Sequence, residues 1–477
     1  MIKAVRTNKD IKIISFDSPS DEGKISEALT VSVPNYIFTK AYKSGAWNGK
    51  YTFYNNYAKT FPSGLMAILP EEVKNRFVIV DQRNKPDFLL QTPELNGVEL
   101  RDYQLKIVEE AISKENAIVS APCGSGKTEM AAAIIKSIPV TTIWLTHRAS
   151  LLTQTKQRLE MRLGQRCGIL MGDECDLQRV TVAMVQTLYN RIHSNDNKEK
   201  AFFVKWLKNA EMLFLDECHH ASSTTWYRLA RLSDAYFRFG LSATPLYGDD
   251  ISNYKLMAVT GEEIKVIGNQ DLVERGLSAL PVIYRINNEI HTFINSRNYG
   301  FVYKIGVEQN DNRNALVAAA VKKHVAKNEP VLVLVTRINH GKIIRSKLAD
   351  IDNVYFLSGS TPVEERDRIL RGIDTGEVKV IIATQIFDEG IDAPNVRALV
   401  LAGAGRSWRE LLQRLGRGMR RKSEGENKIF VYDFADKGEP FLEEHSKHRL
   451  KLYKKEGFSV INLPPEAIFE VAENEKL

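Results

Sequence analysis

The chain has 477 residues, more than one hydrophobic core holds at about 100–200 residues per domain, so two to four domains are expected. Hydrophobic residues at 43%, charged residues at 26% and a net charge of +7 are ordinary for a globular protein, and they permit a polyanionic partner without demanding one. No apolar run of about 18 residues occurs, and the start of the chain, with Lys3, Arg6 and Lys9, lacks an apolar signal core. A membrane span and a signal peptide are therefore not expected, and a cytoplasmic location is. Cys123, Cys167, Cys175 and Cys218 show no CxxC spacing, which argues against a zinc knuckle or a disulfide framework.

Residues 1–92 read as a small α+β domain. Ile11–Phe16 has strand character, and short aromatic-rich strands are expected around Tyr36–Phe38 and Lys50–Tyr54, with Gly45, Gly49 and Gly64 at turns. Between Tyr36 and Thr60, Lys40, Lys43, Lys50 and Lys59 interleave with Tyr36, Phe38, Tyr42, Trp47, Tyr51, Phe53, Tyr54 and Tyr57, and no acid intervenes. Rings among lysines suit base stacking and phosphate contact, although alternation sends about half of such rings into a small domain's core. Lys43, Trp47 and Lys50 are the candidate nucleic-acid contacts. Asp81–Glu94, with Pro86 and Pro93, reads as a linker.

From Leu100 onward short apolar runs alternate with longer amphipathic stretches. Ala117–Val119, Thr142–Leu145, Val180–Ala183 and Met212–Leu215 have the continuous apolar character of strands buried on both faces of a parallel sheet. The pattern resumes at Val331–Val335, Val378–Ile382 and Ala398–Leu401. Two tandem α/β domains are expected, over 93–262 and 263–477. The asparagines and glycine of 288–312 read as loops.

Two constellations carry chemistry. Ala121-Pro122-Cys123-Gly124-Ser125-Gly126-Lys127-Thr128 lies between a buried-strand pattern and a helical one. That is the context in which glycines let backbone N–H groups curl around phosphates. Cys123, Gly124, Ser125 and Gly126 would form the cradle, Lys127 would reach the β- and γ-phosphates, and Thr128 would hold Mg²⁺. The first glycine of the consensus is Ala121 here. Asp216 and Glu217 follow the apolar run Met212–Leu215, so they fall at the C-terminal end of a buried strand, where open α/β sheets bind ligands. Asp216 is the candidate Mg²⁺ ligand and Glu217 the candidate base for the attacking water. His219 is placed to sense the γ-phosphate, and His220 receives no role.

These segments, with others in the same order, resemble the superfamily-two helicases and translocases of the DExH type. Leu100–Gln104 resembles the adenine-reading Q motif, with Gln104 the reader; Leu241-Ser242-Ala243-Thr244-Pro245 resembles the SAT motif that couples hydrolysis to domain movement. Ile143–Arg148 and Ala183–Leu188 resemble segments touching the nucleic-acid backbone. In the second half Val335–Arg337, Phe356–Gly359 and Ala383–Asp392 resemble further such loops, and Gln413–Arg420 resembles the QxxGRxxR motif. The resemblance implies two RecA-like domains with ATP and Mg²⁺ as cofactors. It implies backbone contacts through Thr146, Arg148, Gln186, Thr187, Thr336, Arg337, Ser358 and Thr384. Gly390 and Asp392 would bridge to ATP, and Gln413 would join Ser242 and Thr244 in coupling. Each of these threonines could equally be an ordinary strand or cap residue.

Arg417 and Arg420 are one helical turn apart, and an always-cationic guanidinium suits charge developing on a transferred phosphoryl group. They are the candidate arginine fingers, while Arg414 and Arg421 read as a solvated or nucleic-acid-facing face. Gly45–Lys50 and Phe61–Leu65 resemble the N-terminal DNA-binding domain of the phage UvsW-type helicases. That likeness implies branched or recombining DNA as substrate, DNA repair, recombination and replication as setting, and other proteins of those processes as partners. An RNA helicase and a double-strand DNA translocase without strand separation are the competing readings.

Overall fold

The computed structural model describes residues 1–291, 294, 296, 298–384, 395–403, 405, 419, 422 and 426–469, excepting the side chains of 19, 363 and 374. Two compact units divide between Val266 and Ile267, except that Cys123–Ser125 group with the second, and each is described by itself.

The first unit opens with strands β1 (Ile2–Arg6), β2 (Asp10–Phe16), β3 (Thr30–Ser32), β4 (Lys50–Thr52), β5 (Thr60–Pro62) and β6 (Phe77–Asp81). Four of them make a sheet in the order β5-β2-β1-β6, and β3 pairs with β4 as a separate ribbon. Alternation in β1 and β2 turns Ile2, Ala4, Ile11 and Ile13 inward. Ser18 caps the helix Pro19–Ala28 by accepting from the Ser20 N–H. The expectation of a strand at Tyr36–Phe38 is corrected: those residues form a 3₁₀ turn. Asn35 takes a left-handed φ of 58°, which turns the chain before a ladder can form, and the Thr39 hydroxyl then caps the short helix Lys40–Lys43.

This small domain shares one core with the rest of the first unit. Phe53 meets Tyr254 at 5.7 Å between centroids, and Arg231 binds the Asp10 carboxylate at 2.6 Å. Gly64 lies so close to the Met257 carbonyl that a Cβ would sit 2.0 Å from its oxygen, so only glycine allows the approach.

The larger sheet of this unit holds β7 (Asn116–Ser120), β8 (Thr142–Thr146), β9 (Gly168–Met171), β10 (Glu174–Asp176), β11 (Val180–Met184), β12 (Met212–Asp216), β13 (Phe237–Ser242) and β14 (Glu262–Ile264). Their order is β10-β9-β11-β8-β12-β13-β7-β14, and every pairing is parallel except β10 with β9. Parallel strands need crossovers that cover both faces. Met212–Leu215 is accordingly buried throughout.

The second unit has a mixed-order parallel sheet of β15 (Leu280–Glu289), β16 (Val331–Leu334), β17 (Val354–Leu357), β18 (Val380–Ala383), β19 (Ala398–Val400), β20 (Lys428–Lys437) and β21 (Ser459–Leu463). Among the described residues its order is β17-β18-β16-β19-β20-β15-β21. The reading of 288–312 as loops is corrected in part. Tyr299–Tyr303 and Asp311–Val325 are helices. Asn298 and Asn310 are their caps, accepting from the N–H groups of Gly300 and Arg313. Asparagine marks a helix start as readily as a turn. The basic C-terminal segment forms the helix Pro440–Lys455 and then contributes β21 to the sheet edge.

Ion pairs bury charge in this second core. Arg449 Nε donates to both Asp433 carboxylate oxygens, at 2.9 and 3.0 Å, and the Tyr453 hydroxyl donates to the same group at 3.0 Å. Arg313 meets Asp436 at 2.9 Å. Removing one member of a buried pair strands the other and costs about 3–5 kcal/mol. Arg449→Leu is expected to lower the urea midpoint of the second unit's unfolding by the equivalent of about 3 kcal/mol or more; a loss below about 1 kcal/mol would show the pair to be dispensable.

Candidate functional site

Parallel pairing sets the site. β8, β12, β13 and β7 are consecutive neighbours, so the residues at their C-terminal ends lie side by side. Asp216 is in register with Leu241, and Ser242 with Ser120. The loop after β7, the acids after β12 and Ser242 at the end of β13 thereby share one edge of the sheet.

Gly124 and Gly126 take φ of 80° and 85°, left-handed values that favour glycine. The helix Lys127–Ser137 begins directly after Gly126, so its unsatisfied N–H groups face the loop. Lys127 folds over that loop, its ammonium donating to the carbonyls of Ala121 at 3.0 Å and Pro122 at 3.2 Å. Gln104 reaches the same place: its Nε2 lies 2.3 Å from where a Cβ on Gly126 would stand. The amide is buried, and its Oε1 accepts from the Arg101 N–H at 2.8 Å. The buried Gln104 side chain thus packs on the phosphate loop's last glycine.

Glu217 has φ 46° and ψ 53°, a left-handed conformation costing a non-glycine residue about 1–3 kcal/mol. The turn breaks β12 and lets the Glu217 N–H donate to Asp216 Oδ1 at 3.0 Å. Burial and the adjacent Glu217 carboxylate push Asp216 well above the usual carboxylate range, while the Lys127 ammonium pulls it back. Two adjacent half-buried carboxylates with Lys127 nearby are the chemistry of a cation site. Among the described residues no group of three or more His, Cys, Asp or Glu side chains could hold a metal by itself. A cation at Asp216 would therefore draw on hydroxyl, phosphate and water oxygens.

A 3₁₀ turn, Cys218–Ser222, carries His219 back toward β13. Its Nδ1 lies 3.2 Å from Ser242 Oγ and 3.4 Å from Glu217 Oε2. Ser242 Oγ also accepts from the Thr244 N–H at 3.1 Å, and the buried Thr244 hydroxyl has no hydrogen-bond partner. The acid pair and Ser242-Ala243-Thr244 are thus joined through one imidazole.

The candidate nucleic-acid residues divide by exposure. Lys43, Lys50 and Gln186 are exposed. Trp47 is half-buried and its indole N–H donates to the Lys50 carbonyl at 2.9 Å, so it holds the loop that presents Lys50. Thr146 is buried with its hydroxyl unpartnered among the described residues, and Thr187 Oγ1 accepts from the Gly172 N–H at 3.0 Å. Arg148 Nε donates to His147 Nε2 at 2.8 Å. In the second unit the Thr336 hydroxyl donates to the Gly403 carbonyl. Arg337 lies over the Tyr303 ring at 4.6 Å and donates to the Gly300 carbonyl at 2.9 Å. Ser358 is buried with Oγ 2.8 Å from that of Ser360, and the half-buried Thr384 donates its N–H to the Leu357 carbonyl at 3.2 Å. Gly390, Asp392, Gln413, Arg417 and Arg420 lie outside the described residues. Sequence reasoning passed over His220, whose ring lies between those of His219 and His147 at 4.2 and 4.3 Å. The tandem His219-His220 beside a strand end was the available signal.

Among the described residues no helix is long and apolar enough to cross a membrane. Residues 97–246 match the family described as type III restriction enzyme, res subunit, and residues 312–422 match the helicase conserved C-terminal domain. The DNA 3'-5' translocase XPB2 of Sulfurisphaera tokodaii is 26% identical over 431 residues, covering 81% of this chain and 92% of that one. The ATP-dependent DNA helicase uvsW of Enterobacteria phage T4 is 22% identical, covering 87% and 86%. In fold, the chain is similar to the crystal structure of the helicase MrfA bound to DNA, with a TM-score of 0.56 at 16% identity over 81% of this chain and 56% of that one. With a phosphate loop, an acid pair and a Ser-Ala-Thr segment on adjoining strand ends, and both families matched in that order, the chain belongs to the superfamily-two DExH helicases and translocases, a class of ATP-hydrolysing enzymes.

Proposed function

We propose that this chain remodels branched DNA, unwinding or branch-migrating forks, D-loops, R-loops and four-way junctions in replication, recombination or repair. The observation that carries the reading is the convergence of Lys127, Asp216, Glu217 and Ser242 on neighbouring strand ends. The relatives' names, a phage DNA helicase and an archaeal DNA translocase, supply the substrate class. The working parts are a DNA-binding domain over 1–92 and RecA-like domains over 93–262 and 263–477. The setting is the cytoplasm, in the company of other replication or recombination proteins.

In this reading Lys127 leaves its loop carbonyls for the β- and γ-phosphates, and the N–H groups of Cys123–Gly126 cradle them. Thr128 and Asp216 hold Mg²⁺, which neutralises phosphate charge when bound. Glu217 orients the attacking water, and His219 passes the state of the γ-phosphate to Ser242 and Thr244. Arg417 and Arg420 stabilise charge on the transferred group, a contribution of about 10³–10⁵ in rate for an arginine finger; Gly390 and Asp392 bridge to ATP, and Gln413 joins Ser242 and Thr244 in coupling. On the DNA side Lys43, Lys50, Arg148, Gln186 and Arg337 contact backbone, which fixes register without reading sequence. Thr146, Thr187, Thr336, Ser358 and Thr384 complete these backbone contacts.

Lys127→Ala and Glu217→Gln should each reduce ATP turnover by about 100-fold or more while DNA affinity changes less than about threefold; normal turnover in Glu217→Gln would remove it as the base. On a panel of fork, D-loop, four-way junction, linear duplex and RNA duplex, ATP-dependent strand exchange should favour the branched DNA. Equal or better action on RNA duplex would overturn the DNA assignment, and tracking on linear duplex without product strands would make the protein a translocase alone. Lys43→Ala with Lys50→Ala should weaken junction binding and flatten its log–log salt dependence by about 1.5–2, leaving DNA-free ATPase unchanged. An unchanged salt slope would take these lysines off the DNA.

A further inference from the structure

His219 belongs to the acid pair's turn, and His147 belongs to the loop after β8 that carries Arg148. Between them stands His220. Its ring centroid is 4.2 Å from that of His219 with planes at 41°, and 4.3 Å from that of His147 with planes at 52°. Trp226 closes the far side, 6.4 Å from His147 and itself buried. These are contact distances for tilted rings, so a shift of one imidazole presses on the next.

Both ends of the stack are tied to chemistry. His219 Nδ1 lies 3.4 Å from Glu217 Oε2 and 3.2 Å from Ser242 Oγ. At the other end Arg148 Nε donates to His147 Nε2 at 2.8 Å. That bond requires an imidazole with a lone pair on Nε2. Burial, with His220 and Arg148 beside it, holds His147 down to about 3, so the ring is neutral and accepts. The other ring nitrogen, Nδ1, is buried without a hydrogen-bond partner among the described residues. No hydrogen bond other than Arg148's therefore fixes the ring, which leaves its position to packing against His220 and Trp226.

We infer that His220 is the positioning residue linking hydrolysis to DNA grip: the His219–His220–His147 stack transmits the nucleotide state at Glu217 to the guanidinium of Arg148. When His219 moves with the γ-phosphate, His220 carries the displacement to His147, and Arg148 is released toward a DNA phosphate or drawn back. The link is physical contiguity within one unit of the fold. This inference rests on the reading of Arg148 as a DNA-backbone contact and of the chain as a DNA-dependent ATPase.

The test compares wild type, His220→Ala and His220→Phe as full-length protein, each first checked for an unchanged thermal midpoint. ATPase is measured without DNA and with saturating forked DNA, and fork affinity is measured with ADP and with a non-hydrolysable ATP analogue. In His220→Ala, DNA-free turnover should stay within about twofold of wild type. Stimulation by DNA should fall at least fivefold, and the affinity difference between the two nucleotide states should disappear. His220→Phe, which restores a ring without its nitrogens, should recover most of both. Equal loss of basal and stimulated turnover, or no effect in His220→Ala, overturns the proposal, as does failure of His220→Phe to recover coupling. Absence of DNA stimulation in the wild type itself would instead defeat the motor reading on which the inference depends.

Discussion

The parallel pairing of β12 with β13, and of β13 with β7, is the constraint on which everything else rests. Side chains at the ends of parallel strands all point out of the same edge of a sheet. Asp216, Ser242 and the loop after Ser120 are more than a hundred residues apart in part, yet hydrogen-bond register makes them neighbours. The apolar runs that precede them are what holds that register. Met212–Leu215 is buried on both faces, and slipping it by one residue would turn the Asp216 side chain to the other face of the sheet.

The site is costly to maintain, and its strain is concentrated where chemistry is expected. Glu217 sits in left-handed backbone that a glycine would occupy without penalty. Asp216 is half-buried beside another carboxylate, and Lys127 directs its charge to two loop carbonyls. The backbone of Glu217 and the charge on Asp216 are departures from the lowest-energy local choice. Strain of this kind favours a state poised for ligand over one that is most stable without it.

Much of this was legible in the sequence because buried parallel strands and glycine-rich loops have strong local signatures. The runs at 117–119, 142–145, 180–183 and 212–215 all became strands of one sheet. Local signals failed where they were ambiguous. Tyr36–Phe38 has strand-like composition, but Asn35 in left-handed conformation makes it a turn. Asn298 and Asn310 looked like loop residues and are helix caps. At the site, composition named Thr146 and Thr187 but could not show that both residues are buried. Nor could it show that His220 packs between two other imidazoles, since His147 is 73 residues earlier and its approach depends on the β8–β12 pairing. Spacing along the chain carries no information about such a contact.

The closeness of Gly64 to the Met257 carbonyl has a mechanical consequence. With Phe53 on Tyr254 and Asp10 on Arg231, it welds the basic ribbon's domain to the sheet that bears the phosphate loop. A DNA arm held by Lys50 and a nucleotide held by Lys127 would then ride on one rigid frame. Such an arm serves as a fixed jaw, the reference against which any stroke is measured, and it cannot itself supply the stroke.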